Sequence, residues 1–201
     1  MTNLSQLIVS KRFAGELHNI SDFVTPKAFE VEELFKSIQR GCPYDSIADC
    51  WSYLNAYVKY PLDHRGRHTD RQKLISFGGA FTYNQPSDFW LFPSELLARA
   101  RWAAERGQRT LGDCADVATA MVSLMRNQLD SDEIYVAIGI YSPPGKQPGG
   151  HAWVKFLLDN EWYYADPTVT FGNPLNFDLY EEGLLFNDNE INEINREMIN
   201  W

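Results

Sequence analysis

The length, composition and charge of the chain indicate a folded, acidic protein. Its 201 residues suit one domain with extensions. A content of 44% hydrophobic and 14% aromatic residues is typical of globular proteins and excludes a disordered chain. The formal net charge of −9 argues against nucleic acid as a partner, because binding phosphate needs a basic surface.

The start of the chain and its cysteines indicate a cytoplasmic protein. Lys11, Arg12 and Glu16 interrupt the first twenty residues, which is unlike a signal peptide. No run of about 18 apolar residues occurs, so we expect no membrane partner. An odd number of cysteines points to free thiols in a reducing compartment, and a disulfide is not favoured; the three are Cys42, Cys50 and Cys114.

Three helices are predicted in the first half of the chain. The pair Thr25-Pro26 is typical of a helix start, and Gly41 would end that helix. Apolar residues at helical spacing predict a second helix over 45–60, which Pro61 stops. The irregular stretch 64–88 predicts loops, and a third helix is expected over 94–106.

A fourth helix is predicted to begin beside Cys114. Asp113 is a typical N-cap, and Asp116 stands three residues later in the capping-box position. The preceding residues 108–112 are a predicted loop. An apolar stripe then runs along the helix to about Asn127. This pattern places Cys114 in the first turn of a helix with a buried face.

The second half of the chain changes to the period of β-strands. Strands are predicted over 133–141, 151–158 and 161–166, and Asp159-Asn160 is a predicted two-residue turn. Helices followed by a meander predict an α+β fold. The tail 187–200 is predicted as a surface helix, because its apolar residues recur at roughly helical spacing.

The position of Cys114 suits a nucleophile. The first turn of a helix offers free amides and the positive end of the dipole, which lower the pKa of a thiol and can stabilise an oxyanion. Cys50 lies within an apolar helical stripe, and Cys42 lies between helices. Taken alone, an ordinary buried cysteine is the commoner role for such a residue.

The hairpin around Asp159-Asn160 brings a base and a carboxylate together. If Leu158 pairs with Glu161, then His151 and Asp166 are diagonal neighbours on one face, within reach of a hydrogen bond. A shift of one residue would put them on opposite faces. The alternatives are a strand-end histidine and a turn-capping aspartate. Three such residues together favour a nucleophile, a base and a residue that orients the base.

Three segments resemble the signature blocks of the transglutaminase-like superfamily: Gly112-Asp113-Cys114-Ala115-Asp116, Gly150-His151-Ala152-Trp153-Val154 and Trp162 through Asp166-Pro167-Thr168. Two upstream segments are similar to the run before the cysteine in bacterial transglutaminase-like cysteine proteinases: Tyr60-Pro61-Leu62-Asp63 and Trp90-Leu91-Phe92-Pro93-Ser94-Glu95. The resemblance implies a papain-like α+β fold, with the nucleophile helix packed on an antiparallel sheet.

The resemblance also implies roles for single residues. Cys114 would attack a carbonyl, His151 would take and return the proton, and Asp166 would orient the imidazole. The oxyanion would be held by the Cys114 amide and a second donor, for which Gln108 and Trp90 are rival candidates. The alternatives are a core anchor for Trp90 and a surface loop residue for Gln108.

The expected function is thiol-dependent hydrolysis of amide bonds in a peptide or protein. The alternatives are a protein-glutamine transglutaminase, which crosslinks or deamidates, and a binding module without turnover on the same fold. No cofactor is implied. A metal site at His64 and His68 is not expected, because Arg65 and Arg67 would repel a cation. The predicted organisation is an N-terminal helical extension (1–44), a catalytic core (45–170) and a C-terminal extension packed on the core (171–201).

Overall fold

The computed structural model describes residues 8–10, 18–61, 90–168 and 177–195. The helices are α1 (Phe29–Ile38), α2 (Pro43–Tyr57), α3 (Pro93–Ala104) and α4 (Cys114–Met125), with short 3-10 turns at Ile20–Phe23 and Phe177–Leu179. The strands are β1 (Ile8–Ser10), β2 (His18–Asn19), β3 (Val58–Lys59), β4 (Thr110–Leu111), β5 (Ile134–Tyr141), β6 (Gly149–Leu158), β7 (Glu161–Ala165), β8 (Tyr180–Phe186) and β9 (Ile191–Glu193).

A five-stranded antiparallel sheet forms one layer of the fold, in the order β7-β6-β5-β8-β9. Helix α4 lies on β5 and β6, and α1, α2 and α3 pack around it. All residues of α4 after Cys114 are buried, which fits its apolar sequence and makes it the central helix of the core. The predicted α+β fold, with the nucleophile helix on an antiparallel sheet, is confirmed.

The opposite face of the sheet carries a second, aromatic cluster. Its buried members are Tyr135, Ala137, Trp153, Tyr180 and Leu185, and Tyr141 and Tyr164 pack against them. Side chains alternate between the two faces along β6, so Ala152 and Val154 join the helical core while Trp153 joins the aromatic cluster.

The first two helices differ from the prediction at their ends. Helix α1 begins at Phe29 rather than at Thr25, because a turn comes first, in which the Ala28 amide donates to the Thr25 carbonyl at 3.1 Å and Ala28 itself is extended. That helix ends at Ile38, three residues before Gly41, since Gln39 is already extended. Helix α2 runs over Pro43–Tyr57 and gives way to β3 before Pro61.

The predicted tail helix is wrong over the residues described. Ile191–Glu193 forms the edge strand β9, which pairs with β8. The turn between them is set by Asn187, whose Oδ1 accepts from the amides of Asn189 at 2.8 Å and Glu190 at 3.1 Å. This side-chain-to-backbone bonding favours a turn over a helix.

Some predictions concern residues that the structure leaves out. The loops expected over 64–88, with His64 and His68, lie outside the described residues. The division into a core and two extensions stays a prediction.

Candidate functional site

Cys114 is the first residue of α4, and a reciprocal capping box fixes it there. Asp113 Oδ1 accepts from the Asp116 amide at 3.1 Å, and Asp116 Oδ2 accepts from the Asp113 amide at 2.9 Å. The second Asp116 oxygen accepts from the Leu91 amide at 2.8 Å, which ties the segment before α3 to this helix start. The predicted cap and capping box are confirmed, and they place the Cys114 thiol at the positive end of the dipole.

The three cysteines have different environments, and none is in a disulfide. Cys50 is fully buried with its Sγ 3.7 Å from Met125 Sδ, and burial raises its pKa to about 12. It therefore stays a thiol near neutral pH. Cys42 is exposed before α2, whereas Cys114 is partly exposed.

The hairpin of β6 and β7 has the predicted register. Leu158 pairs with Glu161, and the turn residues Asp159 and Asn160 have φ angles of 52° and 64°. Two successive positive φ values are typical of the type I′ turn that joins two-residue hairpins. The register places His151 and Asp166 on the same face.

His151 and Asp166 form a buried hydrogen-bonded pair. His151 Nε2 lies 2.6 Å from Asp166 Oδ2, and the side chains are 11% and 0% exposed. The Cys114 side chain neighbours the His151 ring and raises its pKa. Because Nε2 faces the carboxylate, Nδ1 is the ring nitrogen left for the thiol. The structure thus brings together the three residues that the sequence singled out.

This contact network raises the pKa of His151 and lowers that of Asp166. Burial by itself lowers the His151 pKa, but hydrogen bonds and charges from Asp166 and Cys114 raise it from 6.5 to about 10. Burial would raise the Asp166 pKa, but His151 and Thr168 hold it below its ordinary value. The imidazolium and the carboxylate are therefore the stable forms at neutral pH.

Four donors converge on the Asp166 carboxylate. Besides His151, they are the Thr168 amide at 2.9 Å, Thr168 Oγ1 at 2.6 Å and the Tyr180 hydroxyl at 3.0 Å. The Trp51 indole N–H donates to the Asp166 carbonyl at 2.9 Å, and so fixes the backbone too. Nothing in the sequence indicated that Trp51 or Tyr180 belongs to the site, because they come from a distant helix and strand. Thr168 could have been found from the sequence, since a hydroxyl two residues after an aspartate often bonds its carboxylate.

Aromatic rings surround the imidazole on the sheet. The ring centroids of Tyr141, Trp153 and Tyr180 lie 5.3, 6.3 and 6.4 Å from that of His151. Gly139 pairs with His151, and a Cβ built there would lie 1.9 Å from the Glu181 carbonyl oxygen. The glycine therefore permits the close approach of β8 that brings Tyr180 to the site.

A further residue reaches the thiol. The Tyr60 hydroxyl donates to Cys114 Sγ at 3.6 Å. Tyr60 follows β3, which pairs in parallel with β4 just before α4. Sequence reasoning gave Tyr60 no role in the chemistry, because nothing in the local pattern predicts that a residue 54 positions away meets the thiol.

The two oxyanion candidates occupy different places. Trp90 is buried in the core, with its ring centroid 5.3 Å from that of Phe23 and 6.3 Å from that of Phe186. Gln108 is exposed after α3, and its amide donates to the Ala103 carbonyl at 2.9 Å. Among the described residues, neither side chain makes a hydrogen bond to Cys114 or His151.

The described residues contain neither a group of metal-binding side chains nor a membrane-spanning helix. Within 8–10, 18–61, 90–168 and 177–195, no three His, Cys, Asp or Glu side chains are grouped to hold a metal ion. In the same ranges, no helix has the length and hydropathy needed to span a bilayer.

Comparison with known proteins gives two kinds of match. Residues 83–167 match the model of the transglutaminase-like superfamily. This segment, 85 of the 201 residues, is similar to a transglutaminase-like core. It contains Cys114, His151 and Asp166, so the resemblance noted in the three signature blocks is confirmed. A comparison with curated proteins gives no match.

Solved structures support the transglutaminase-like fold. LapG of Legionella pneumophila, in an EGTA-treated form, is 16% identical over 82% of this chain and 74% of its own, with a TM-score of 0.53. A second LapG structure is 17% identical over 80% and 74%, with a TM-score of 0.52. LapG is a transglutaminase-like cysteine proteinase, as the sequence resemblance led us to expect. At this level of identity the two matches show the fold alone.

Proposed function

We propose that this protein is a thiol-dependent acyl-transfer enzyme that hydrolyses amide bonds in a peptide or protein. The observation that carries the proposal is the buried pair of His151 and Asp166, joined at 2.6 Å, with Cys114 near enough to raise the pKa of the ring. A nucleophile, a base and a residue that orients the base are the groups that acyl transfer through a covalent intermediate requires.

The proposed reaction has two steps. In the resting enzyme the proton of Cys114 already lies on His151, and the thiolate attacks the amide carbonyl, whose π electrons move to oxygen. When the tetrahedral intermediate collapses, the C–N bond breaks, the His151 imidazolium protonates the leaving amine, and the acyl group stays on sulfur. The neutral His151 then takes a proton from a water molecule that attacks the thioester, and collapse of this second intermediate breaks the C–S bond, which releases the acid and restores the thiolate beside the imidazolium.

The residues around the triad favour this sequence of proton transfers. Asp166 stabilises the imidazolium that forms in each step, and its four donors keep the carboxylate charged and in place. The helix start that holds Cys114 supplies its backbone amide as one donor to the oxyanion.

The test is to trap the acyl-enzyme. The full-length protein is incubated with a mixture of synthetic peptides and with p-nitrophenyl acetate, then analysed by intact and tandem mass spectrometry. We expect an acyl group on Cys114 that is absent in Cys114→Ala and that disappears with time. Failure of every acyl donor to modify Cys114 would contradict the proposal.

The same experiment separates hydrolysis from amine transfer. It is repeated with methylamine present, and mass spectrometry identifies the released acyl product. We expect the free acid as the main product. If the methylamide were the main product, the protein would be assigned amine transfer, as in a transglutaminase, instead of hydrolysis. The roles of Cys114 and His151 would stay the same.

A further inference from the structure

The Tyr60 hydroxyl contacts the atom that the proposed function makes the nucleophile. It donates to Cys114 Sγ at 3.6 Å, and the tyrosine is partly buried. A neutral hydroxyl that faces the sulfur also faces the space in which an acyl group bonded to that sulfur must lie.

The backbone beside Tyr60 is fixed against the nucleophile loop. Val58 pairs with Thr110, and Lys59 pairs with Leu111. The Gly112 amide then donates to the Lys59 carbonyl at 3.2 Å, which holds the residue before Tyr60 next to the residue two before Cys114.

Gly112 makes this close packing possible. A Cβ built at Gly112 would lie 2.9 Å from Val58 Cγ1 and 3.0 Å from Leu96 Cδ1, both closer than side chains pack. The absence of a side chain lets β3 approach the loop, so the tyrosine is preorganised rather than placed by a mobile segment.

Tyr60 stays protonated in this environment. Burial raises its pKa, and the neighbouring charges of Cys114 and Asp113 raise it further. The hydroxyl is therefore a donor at any pH at which the protein would work. A donor that cannot ionise suits the stabilisation of a developing negative charge.

We propose that Tyr60 is a catalytic residue that donates a hydrogen bond to the oxyanion formed when Cys114 attacks a carbonyl. This inference rests on the proposed function. The acyl oxygen is two bonds from Sγ, so it comes within hydrogen-bonding distance of a hydroxyl that faces Sγ. Sulfur is a weak acceptor and an oxyanion is a strong one, so the bond strengthens in the transition state and accelerates the attack.

Tyr60 fills this role better than the two candidates from the sequence. Trp90 is packed among core rings, and Gln108 is exposed in the turn after α3. In contrast, the Tyr60 hydroxyl donates a hydrogen bond to the sulfur itself.

The test compares two reactions of Cys114 in Tyr60→Phe. Acylation by p-nitrophenyl acetate passes through an oxyanion, whereas alkylation by iodoacetamide does not. We expect Tyr60→Phe to slow acylation by about 10²-fold, as for loss of one oxyanion donor, and to change alkylation little. Tyr57→Phe is the matched control, because it removes a hydroxyl from the same segment, and its acylation rate should equal that of the wild type.

A second variant keeps the test decisive if Tyr60→Phe folds poorly. Tyr60→His retains a ring with an N–H donor and should acylate faster than Tyr60→Phe, with alkylation reporting an intact site in both. Equal acylation rates in wild type and Tyr60→Phe, or equal losses in both reactions, would overturn the role of Tyr60 alone. Acylation that persists in Cys114→Ala would instead refute the proposed function.

Discussion

Replacement of Asp166 by asparagine tests how the imidazole is held. The carboxylate accepts from four donors: Thr168 provides two to Oδ1, and His151 and Tyr180 provide one each to Oδ2. An amide accepts only at its oxygen, so its NH₂ group must face one of these pairs of donors. If the oxygen stays with Thr168, then His151 Nε2 must become an acceptor, and Nδ1 must carry the proton. In that tautomer Nδ1 cannot take the proton of the Cys114 thiol.

The change also destabilises the imidazolium. Contacts with Asp166 and Cys114 raise the pKa of His151 from 6.5 to about 10 against the effect of burial, so loss of the Asp166 charge lowers that pKa. We therefore expect Asp166→Asn to slow Cys114 acylation by about 10³–10⁴-fold at pH 7, the range associated with a wrong histidine tautomer.

The loss of acylation rate in Asp166→Asn should depend on pH in a definite direction. With the carboxylate removed, the His151 pKa falls, so the imidazolium is lost at a lower pH than in the wild type. The loss of rate should therefore shrink toward pH 10, where about half of the wild-type rings are neutral too. Stopped-flow measurement of p-nitrophenol release from pH 5 to 10 provides the profile.

The control for this variant is Asp132→Asn, which makes the same change at an exposed position before β5. It should acylate at the wild-type rate throughout the pH range. An acylation rate for Asp166→Asn within about tenfold of wild type at pH 7, or a loss independent of pH, would refute the reasoning about the tautomer.

Two further predictions address the base and the sheet. His151→Ala should slow alkylation of Cys114 by iodoacetamide at pH 6–7, because the thiolate loses its counter-ion; an unchanged rate would separate the ring from the thiol. Gly139→Ala should lower the free energy of unfolding in urea by about 1–3 kcal/mol or more, because its Cβ would lie 1.9 Å from the Glu181 carbonyl oxygen. Gly149→Ala, whose Cβ would meet nothing within 4 Å, should be far milder, and equal losses would contradict the close approach.

Local patterns were sufficient to predict the parts of the site that depend on neighbouring residues. The capping box depends on Asp113 and Asp116, three residues apart, and the hairpin register depends on the turn at Asp159-Asn160. Each is decided by backbone geometry over a few residues, so the residue types reveal it. The alternation of strand side chains then placed His151 on the correct face.

The rest of the site depends on contacts between distant segments. Tyr60 and Tyr180 reach Cys114 and Asp166 through strand pairings that no short pattern encodes. Strand β9 was missed for a different reason: the apolar spacing of the tail fits a helix, but Asn187 makes a turn that folds the tail back onto β8. Side-chain bonding at a single asparagine there outweighed a weak periodic signal.

Site-resolved alkylation tests whether Cys114 is the activated thiol of this protein. The wild-type protein is treated at pH 6 with limiting iodoacetamide, and tandem mass spectrometry measures the labelling rate of each thiol. We expect Cys114 to be labelled first, well ahead of the exposed Cys42, while the buried Cys50 stays unlabelled. Labelling of Cys42 as fast as or faster than Cys114 would contradict the claim that the helix start and His151 activate this sulfur.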